Sequence, residues 1–302
     1  MTFEQSVRFA NDLAGLERIF RFFHSIVLLR IAYPAAFRVF GPTFSVGIAI
    51  PADRAGLLAL QQRLDLARRY IRMFRFLDFS LQAQRLLAGL QITDLVPSQS
   101  LASTNQKTDD VKFATAWRYW PRIEKWVELM GRTFLTMYLL LETTTILDYM
   151  QVDGLHVWGL QRRSAVNVEA QRLWLFTLAC NVVVGLMRIG QSLRLTTDLF
   201  GSSHEARNKS IVPAKKVDIA ASNKDKEMKV KNRSHLGHRK SSSQLVGLVR
   251  GLLTNALDMV IPGVVVGWLN VSPGIIALIM FVTTLSTSFD IYERCGREIA
   301  RQ

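Results

Sequence analysis

The chain has 302 residues, 49% of them hydrophobic, a mean hydropathy of +0.15 and a formal charge of +14, from 38 Lys+Arg against 24 Asp+Glu. That length holds one large or two ordinary domains, and the charge calls for an anionic counterpart, either nucleic acid or an anionic lipid surface. Two distant cysteines, Cys180 and Cys295, exclude a disulfide framework and fit a reducing compartment.

Residues 1–40 read as one or two basic, apolar helices. Phe20, Phe22, Phe23, Ile26, Val27, Leu28 and Leu29 form a dense apolar block punctuated by Arg18, Arg21 and Arg30. No basic stretch followed by a clean apolar core opens the chain, so no cleaved signal peptide is expected. Pro34 should kink or end the helix, since it has no amide to donate and its ring clashes with the preceding turn. Gly41-Pro42 and Ile50-Pro51 then mark a connector.

Residues 57–90 contain no proline and read as one helix. Arg68, Arg72 and Arg75 recur at i, i+4 and i+7 with Arg69 between them. Leu60, Leu64, Ala67, Ile71, Phe74 and Leu81 fall on another side. Such a helix suits either the solvated face of a soluble bundle or a position in a membrane surface, apolar side among acyl chains and guanidiniums at lipid phosphates. Asp65 is the sole acid near the arginines, whereas a soluble surface normally mixes both signs. Long arginine stems also snorkel towards headgroups. The candidate membrane-binding residues are therefore Leu60, Leu64, Arg68, Arg69, Ile71, Arg72, Phe74, Arg75 and Leu81. Phe76 on the basic side and Arg63 on the apolar side depart from this pattern.

Residues 91–112 are polar and read as an exposed loop. A central helical block spans 113–200 and contains the apolar runs Phe134–Leu141 and Leu173–Met187. Each run falls short of the roughly 18 residues of a membrane span, so a packed helix hairpin is expected. Glu142 and Asp148, in an apolar helix, read as a capped or partner-facing pair rather than as acid–base machinery. Residues 201–244 hold eleven Lys+Arg, four Asp+Glu and no aromatic residue. This composition predicts a disordered basic linker, ending in serines after Arg239-Lys240, and its charge suits the cytosolic side of a membrane.

The C-terminal segment 245–292 carries the strongest membrane signal. From Met259 to Phe289 there are 31 residues without a charged side chain, bracketed by Asp258 and Asp290. A span needs about 20 apolar residues, so one tilted helix fits. Pro262 and Pro273 leave two readings, a single span over 271–289, which is preferred, or a helical hairpin turning at 270–274. Gly263-x-x-x-Gly267 in this region has the spacing that lets membrane helices approach and self-associate, as does Gly247-x-x-x-Gly251 just before it.

Catalytic, cofactor-binding and metal-ligating residues are not expected. His235 and His238 have no further ligand nearby, His24 and His156 are isolated, and phosphate-loop, nucleophile-elbow and zincin motifs are missing. The basic linker has no aromatic interleaving for base stacking, which speaks against nucleic acid. The fold class expected is an all-α, membrane-associated helical protein with amphipathic helices and one C-terminal membrane segment, single span or hairpin.

Three blocks together resemble the peroxisomal biogenesis factor 11 family, in a fungal-type form. They are residues 15–23, with Gly15-Leu16-Glu17-Arg18-Ile19-Phe20-Arg21-Phe22-Phe23; residues 66–77, with the arginine series; and residues 252–292, with Asn255-Ala256-Leu257-Asp258 and the glycine-rich apolar run. Their order and spacing fit as well. The terminal Ala300-Arg301-Gln302 is not the matrix-import address of peroxisomal enzymes, which leaves a peroxisomal membrane protein open.

The resemblance implies a peroxisomal membrane protein that self-associates, elongates or tubulates the membrane before fission, and so promotes peroxisome proliferation. It implies anionic membrane lipids, further copies of the chain and fission machinery of the dynamin and adaptor type as partners. The mechanism expected is a wedge formed by residues 60–82, each arginine adding about 1 kcal/mol of attraction to anionic lipid. A membrane channel for small metabolites and a soluble helical adaptor are the alternatives.

Overall fold

The computed structural model describes residues 3–40, 53–95, 110–150, 157–209 and 245–301. The connector at 41–52, most of the polar stretch 91–112, and residues 210–244 of the basic segment, with His235 and His238, lie outside the described residues. Every regular element among the described residues is helical, as expected for an all-α protein. They are α1 Phe3–Asn11, α2 Leu13–Ala32, α3 Pro34–Phe40, α4 Arg54–Leu95, α5 Asp110–Thr144, α6 Ile146–Tyr149, α7 Leu160–Lys209, α8 at 245–258, α9 Val260–Val265 and α10 Pro273–Ile299. The helix α7 continues into the stretch read as linker.

The chain forms two compact units, Met1–Val182 with Thr254–Gln302, and Val183–Leu253. In the first, α2 lies between α10 and α4, and α4 lies between α2 and α5. Contacts of Glu17 with Arg75 and of His24 with Arg68 run α2 and α4 antiparallel. Arg72 to Tyr138 and Arg132 to Gln82 do the same for α4 and α5. The aromatic part of this unit gathers where α5 meets the first half of α7. Tyr138, Leu139 and Ala170 are buried there, Phe76 packs beside them, and Tyr138 stacks on Trp174 with ring centroids 5.8 Å apart. The second unit contains the end of α7 and the start of α8, where Leu252 packs on Gly185 at the 3.3 Å a Cβ would leave.

Local chemistry sets the helix ends. Asp12 caps α2 by accepting from the Ala14 amide at 3.1 Å. The helix stops at Ala32 and restarts at Pro34, as the proline requires. Gly15 lets α1 cross α2, for a Cβ there would stand 1.9 Å from the Phe9 carbonyl oxygen.

The apolar C-terminal region is a hairpin, not the preferred single span. Helices α8 and α9 run Leu245–Val265 and α10 runs Pro273–Ile299, each long and apolar enough to cross a membrane. The Thr254 hydroxyl donates to Ser286 Oγ at 3.0 Å, and Arg21 bridges Asp258 and Thr283, so α8 and α10 run antiparallel. Pro262 has no amide for the Asp258 carbonyl, and the helix is interrupted at Met259. A Schellman motif closes α9. The Trp268 amide donates to the Gly263 carbonyl, the Gly267 amide to that of Val264, and Gly267 takes φ +86°. Pro273 sits at the first turn of α10, where its missing amide costs nothing. Gly263 and Gly267 therefore do not share a helical face as the sequence spacing suggested. Gly267 lies beyond the end of α9, and Gly263 takes the side chain of Leu269.

A third helix, Gln161–Arg194, is also long and apolar enough to cross a membrane. Its charges cluster at the ends, so the helix outruns the shorter run at 173–187 read from the sequence.

Candidate functional site

A polar stripe on α2 begins the site. Glu17, Arg21, His24 and Ser25, at i, i+4, i+7 and i+8, all face inward. Glu17 and Arg21 are each 4% exposed. The arginine side of α4 faces α2 and α5. Arg68 and Arg69 are buried, and Arg72 nearly so.

Carboxylates from other helices meet these arginines. Glu17 accepts from Arg75 at 3.1 Å and pairs with Arg68 at 3.8 Å and with Arg18 at 3.7 Å. Glu142 of α5 pairs with Arg72 at 2.8 Å and with Arg69 at 3.8 Å. Arg72 also donates to the Tyr138 hydroxyl at 2.7 Å. Arg69 donates to Asp65 at 2.9 Å and lies over the Tyr149 ring. On the other side of α2, Arg21 grips Asp258 of α8 with two donors, at 2.5 and 3.2 Å, and donates to Thr283 of α10.

These fields govern protonation. Burial alone would raise the Glu17 carboxyl, but Arg18, Arg68, Arg72 and Arg75 together hold it far below the usual carboxylate range. Asp65 is likewise pulled down to about 2, its burial outweighed by Arg69 and Arg68. Burial and the neighbouring Arg72 push Arg68 down to about 10, with Glu17 opposing them. Burial also disfavours charge on Arg72, but Glu142 and Tyr138 raise it above the arginine range. His24 drops to about 4 through burial and the Arg68 charge. It is therefore neutral near pH 7, and Arg68 donates to its Nδ1 at 2.9 Å, which puts the ring proton on Nε2.

A cavity of about 320 Å³ opens inside this cluster, walled by residues of α2, α4, α5, α7, α8 and α10. Among the described residues no group of His, Cys, Asp and Glu could hold a metal ion. What the arrangement can do is hold negative charge in a protein interior.

The sequence-derived membrane residues separate in the structure. Arg68, Arg69, Arg72 and Arg75 turn inward to carboxylates rather than outward to lipid phosphates, because their counter-ions are supplied by α2 and α5. Ile71 is buried with them; Leu60 and Leu64 are half-buried. Phe74 and Leu81 point outward, joined by Leu77; Phe74 is 58% and Leu77 62% exposed. One of the two misfits of the helical pattern becomes regular in this orientation. Phe76 belongs on the arginine side because that side meets the aromatic core, and Arg63 is exposed on the outer side. Glu17, Arg21, Tyr138, Glu142 and Asp258 were not read as one site. The available signal was an isolated acid beside an apolar run, Glu17, Glu142 and Asp258 in turn, which marks a buried pairing without naming the partner.

Comparison with known proteins adds one finding. The family model described as Peroxisomal biogenesis factor 11 (PEX11) matches residues 114–291. No curated protein and no solved structure matches the chain.

Proposed function

The chain belongs to the peroxisomal biogenesis factor 11 family, a membrane-associated peroxisomal family with a role in peroxisome biogenesis and proliferation, and on that premise we propose that it elongates the peroxisomal membrane ahead of fission. The observation that carries the reading is an inverted distribution of polarity. Charged and hydroxyl side chains fill the interior, with Glu17, Arg21, Arg68, Asp258, Thr283 and Thr284 buried. Large apolar side chains line the outside, with Ile275, Leu278, Val282, Leu285 and Phe289 exposed along α10 at spacings of three and four. A soluble protein does not present such a stripe to water, whereas a membrane bundle turns its charges inward and its leucines to lipid.

In this reading α10, α8 with α9, and the apolar part of α7 anchor the chain, and α4 is the wedge. Its outer side, Phe74, Leu77 and Leu81, enters the cytosolic leaflet, with Leu60, Leu64 and Ile71 behind it. Arg68, Arg69, Arg72 and Arg75 lock the helix to α2 and α5, so that the wedge moves with the anchor. One shallow helix bends a bilayer little; copies concentrated by self-association through the exposed stripes, and in turn recruiting fission machinery, supply the rest. The segment 201–244 lies on the cytosolic side.

Reconstitution of the full chain into anionic vesicles, followed by electron microscopy, tests this. The wild type should draw tubules. A Phe74→Ser, Leu77→Ser, Leu81→Ser variant that is inserted and folded should leave the vesicles round; equal tubulation by both proteins overturns the wedge.

A second reading, a channel for small metabolites, is favoured by three helices of spanning length and composition where the sequence suggested one. Solute release from the same vesicles, without tubulation, would select it.

A further inference from the structure

The cavity between α2, α4 and α5 carries more positive charge than the fold neutralises. Six guanidiniums line it, those of Arg18, Arg21, Arg68, Arg72, Arg75 and Arg132, against the carboxylates of Glu17 and Asp258. Glu142 reaches Arg72 and Glu128 reaches Arg132 from outside the lining. Among the described residues, that still leaves two guanidiniums in the wall without a carboxylate of their own. A protein interior does not hold uncompensated charge cheaply.

Hydrogen bonding gives the same result independently. Arg21, Arg68 and Arg72 each keep a buried Nε without a hydrogen-bond partner, and Arg18 keeps both Nε and one terminal nitrogen. Arg21 and Arg68 are more than nine-tenths buried. The four residues that hold these spare donors come from two facing helices and all line the one cavity. The guanidinium fork matches the oxygens of a phosphoryl group, and two unmatched positive charges fit the charge of about −1.5 to −2 that a phosphate monoester carries at pH 7. A monocarboxylate would leave one positive charge unmet. The volume of about 320 Å³ lies at the small end of ligand sites, which run from roughly 300 to 1,000 Å³.

We propose that this cavity is a binding site for a phosphomonoester anion, either free in solution or as the headgroup of a lipid. The site does not depend on α4 acting as a wedge. Its occupant would bridge α2, α4 and α5 and so bias the packing that sets the orientation of α4.

The full chain in neutral detergent, titrated with inorganic phosphate at constant ionic strength, tests the site by thermal unfolding and calorimetry. Phosphate should raise the unfolding temperature where chloride does not. Arg18→Gln removes the guanidinium with the most unpaired nitrogens. It should unfold no earlier than wild type without phosphate, yet bind phosphate about tenfold or more weakly. If that variant does not fold, Arg132→Gln, at the half-exposed rim on α5, carries the same expectation. Nanodiscs of phosphatidylcholine with a few per cent phosphatidic acid or phosphatidylserine separate the sources. Suppression of the phosphate response by phosphatidic acid alone assigns the site to a lipid headgroup, and its persistence in both assigns it to a soluble phosphate. Stabilisation no greater than that by chloride, or unchanged phosphate affinity in the folded variants, overturns the proposal.

Discussion

Helices α4 and α10 solve the same problem by opposite means. Both present apolar side chains outward and polar ones inward, but α10 buries Thr283 and Thr284 where α4 buries arginines. The hydroxyls of α10 largely satisfy themselves. Thr284 donates to the Met280 carbonyl and Thr287 to that of Thr283 at 2.8 Å, four residues back on the same helix. The guanidiniums of α4 depend on carboxylates that other helices deliver. A self-sufficient polar face tolerates loss of a neighbour, while a charged one does not, because removing one partner leaves an uncompensated buried ion.

The largest effect should follow from breaking that dependence. Glu142→Ala leaves Arg69 and Arg72 without their shared carboxylate, and thermal unfolding in detergent should show a loss of about 3–5 kcal/mol. A loss below 1 kcal/mol would mean that water, not Glu142, solvates the arginines.

Acid titration comes next. His24 is neutral in the fold, with its pKa at about 4 against an ordinary 6.5. The unfolded chain takes up this proton first, so stability that is full above pH about 6.5 falls as the pH drops towards 4, by on the order of 3 kcal/mol. The Asp65 contribution, present above its ordinary 3.8, is lost only below that, as the pH falls through about 2. Replacing His24 with Gln should flatten the upper window alone, which chemical unfolding at stepped pH will register.

On the α10 side, Gly267→Ala forces a Cβ into φ +86° and should cost about 1–2 kcal/mol by unfolding in detergent. The smallest effect belongs to the outer face of α4. Phe74→Ser with Leu77→Ser should shift detergent unfolding by no more than about 0.5 kcal/mol, because neither side chain is packed inside the protein. A larger loss would show that the outer face is held by protein rather than lipid.

Much of the architecture was legible in the chain itself. The uncharged stretch 259–289, the break at Pro34 and the all-helical character follow from hydropathy and proline chemistry, which act over a few residues. The hairpin was one of two local readings, and the αL conformation of Gly267, followed by Pro273 at a helix start, decided it. Glu142 was recognisable as a charge in search of a partner, but its identity as the counter-ion of Arg72, seventy residues earlier, was not.

The sequence by itself determined that α4 has an arginine side and an apolar side, because a helical period of 3.6 fixes which residues share a face. Only the tertiary structure decided which side looks inward. That choice rests on Glu17 and Glu142 arriving from two other helices, and the electrostatic energy that orients the arginines depends on distances in space that no spacing along the chain encodes.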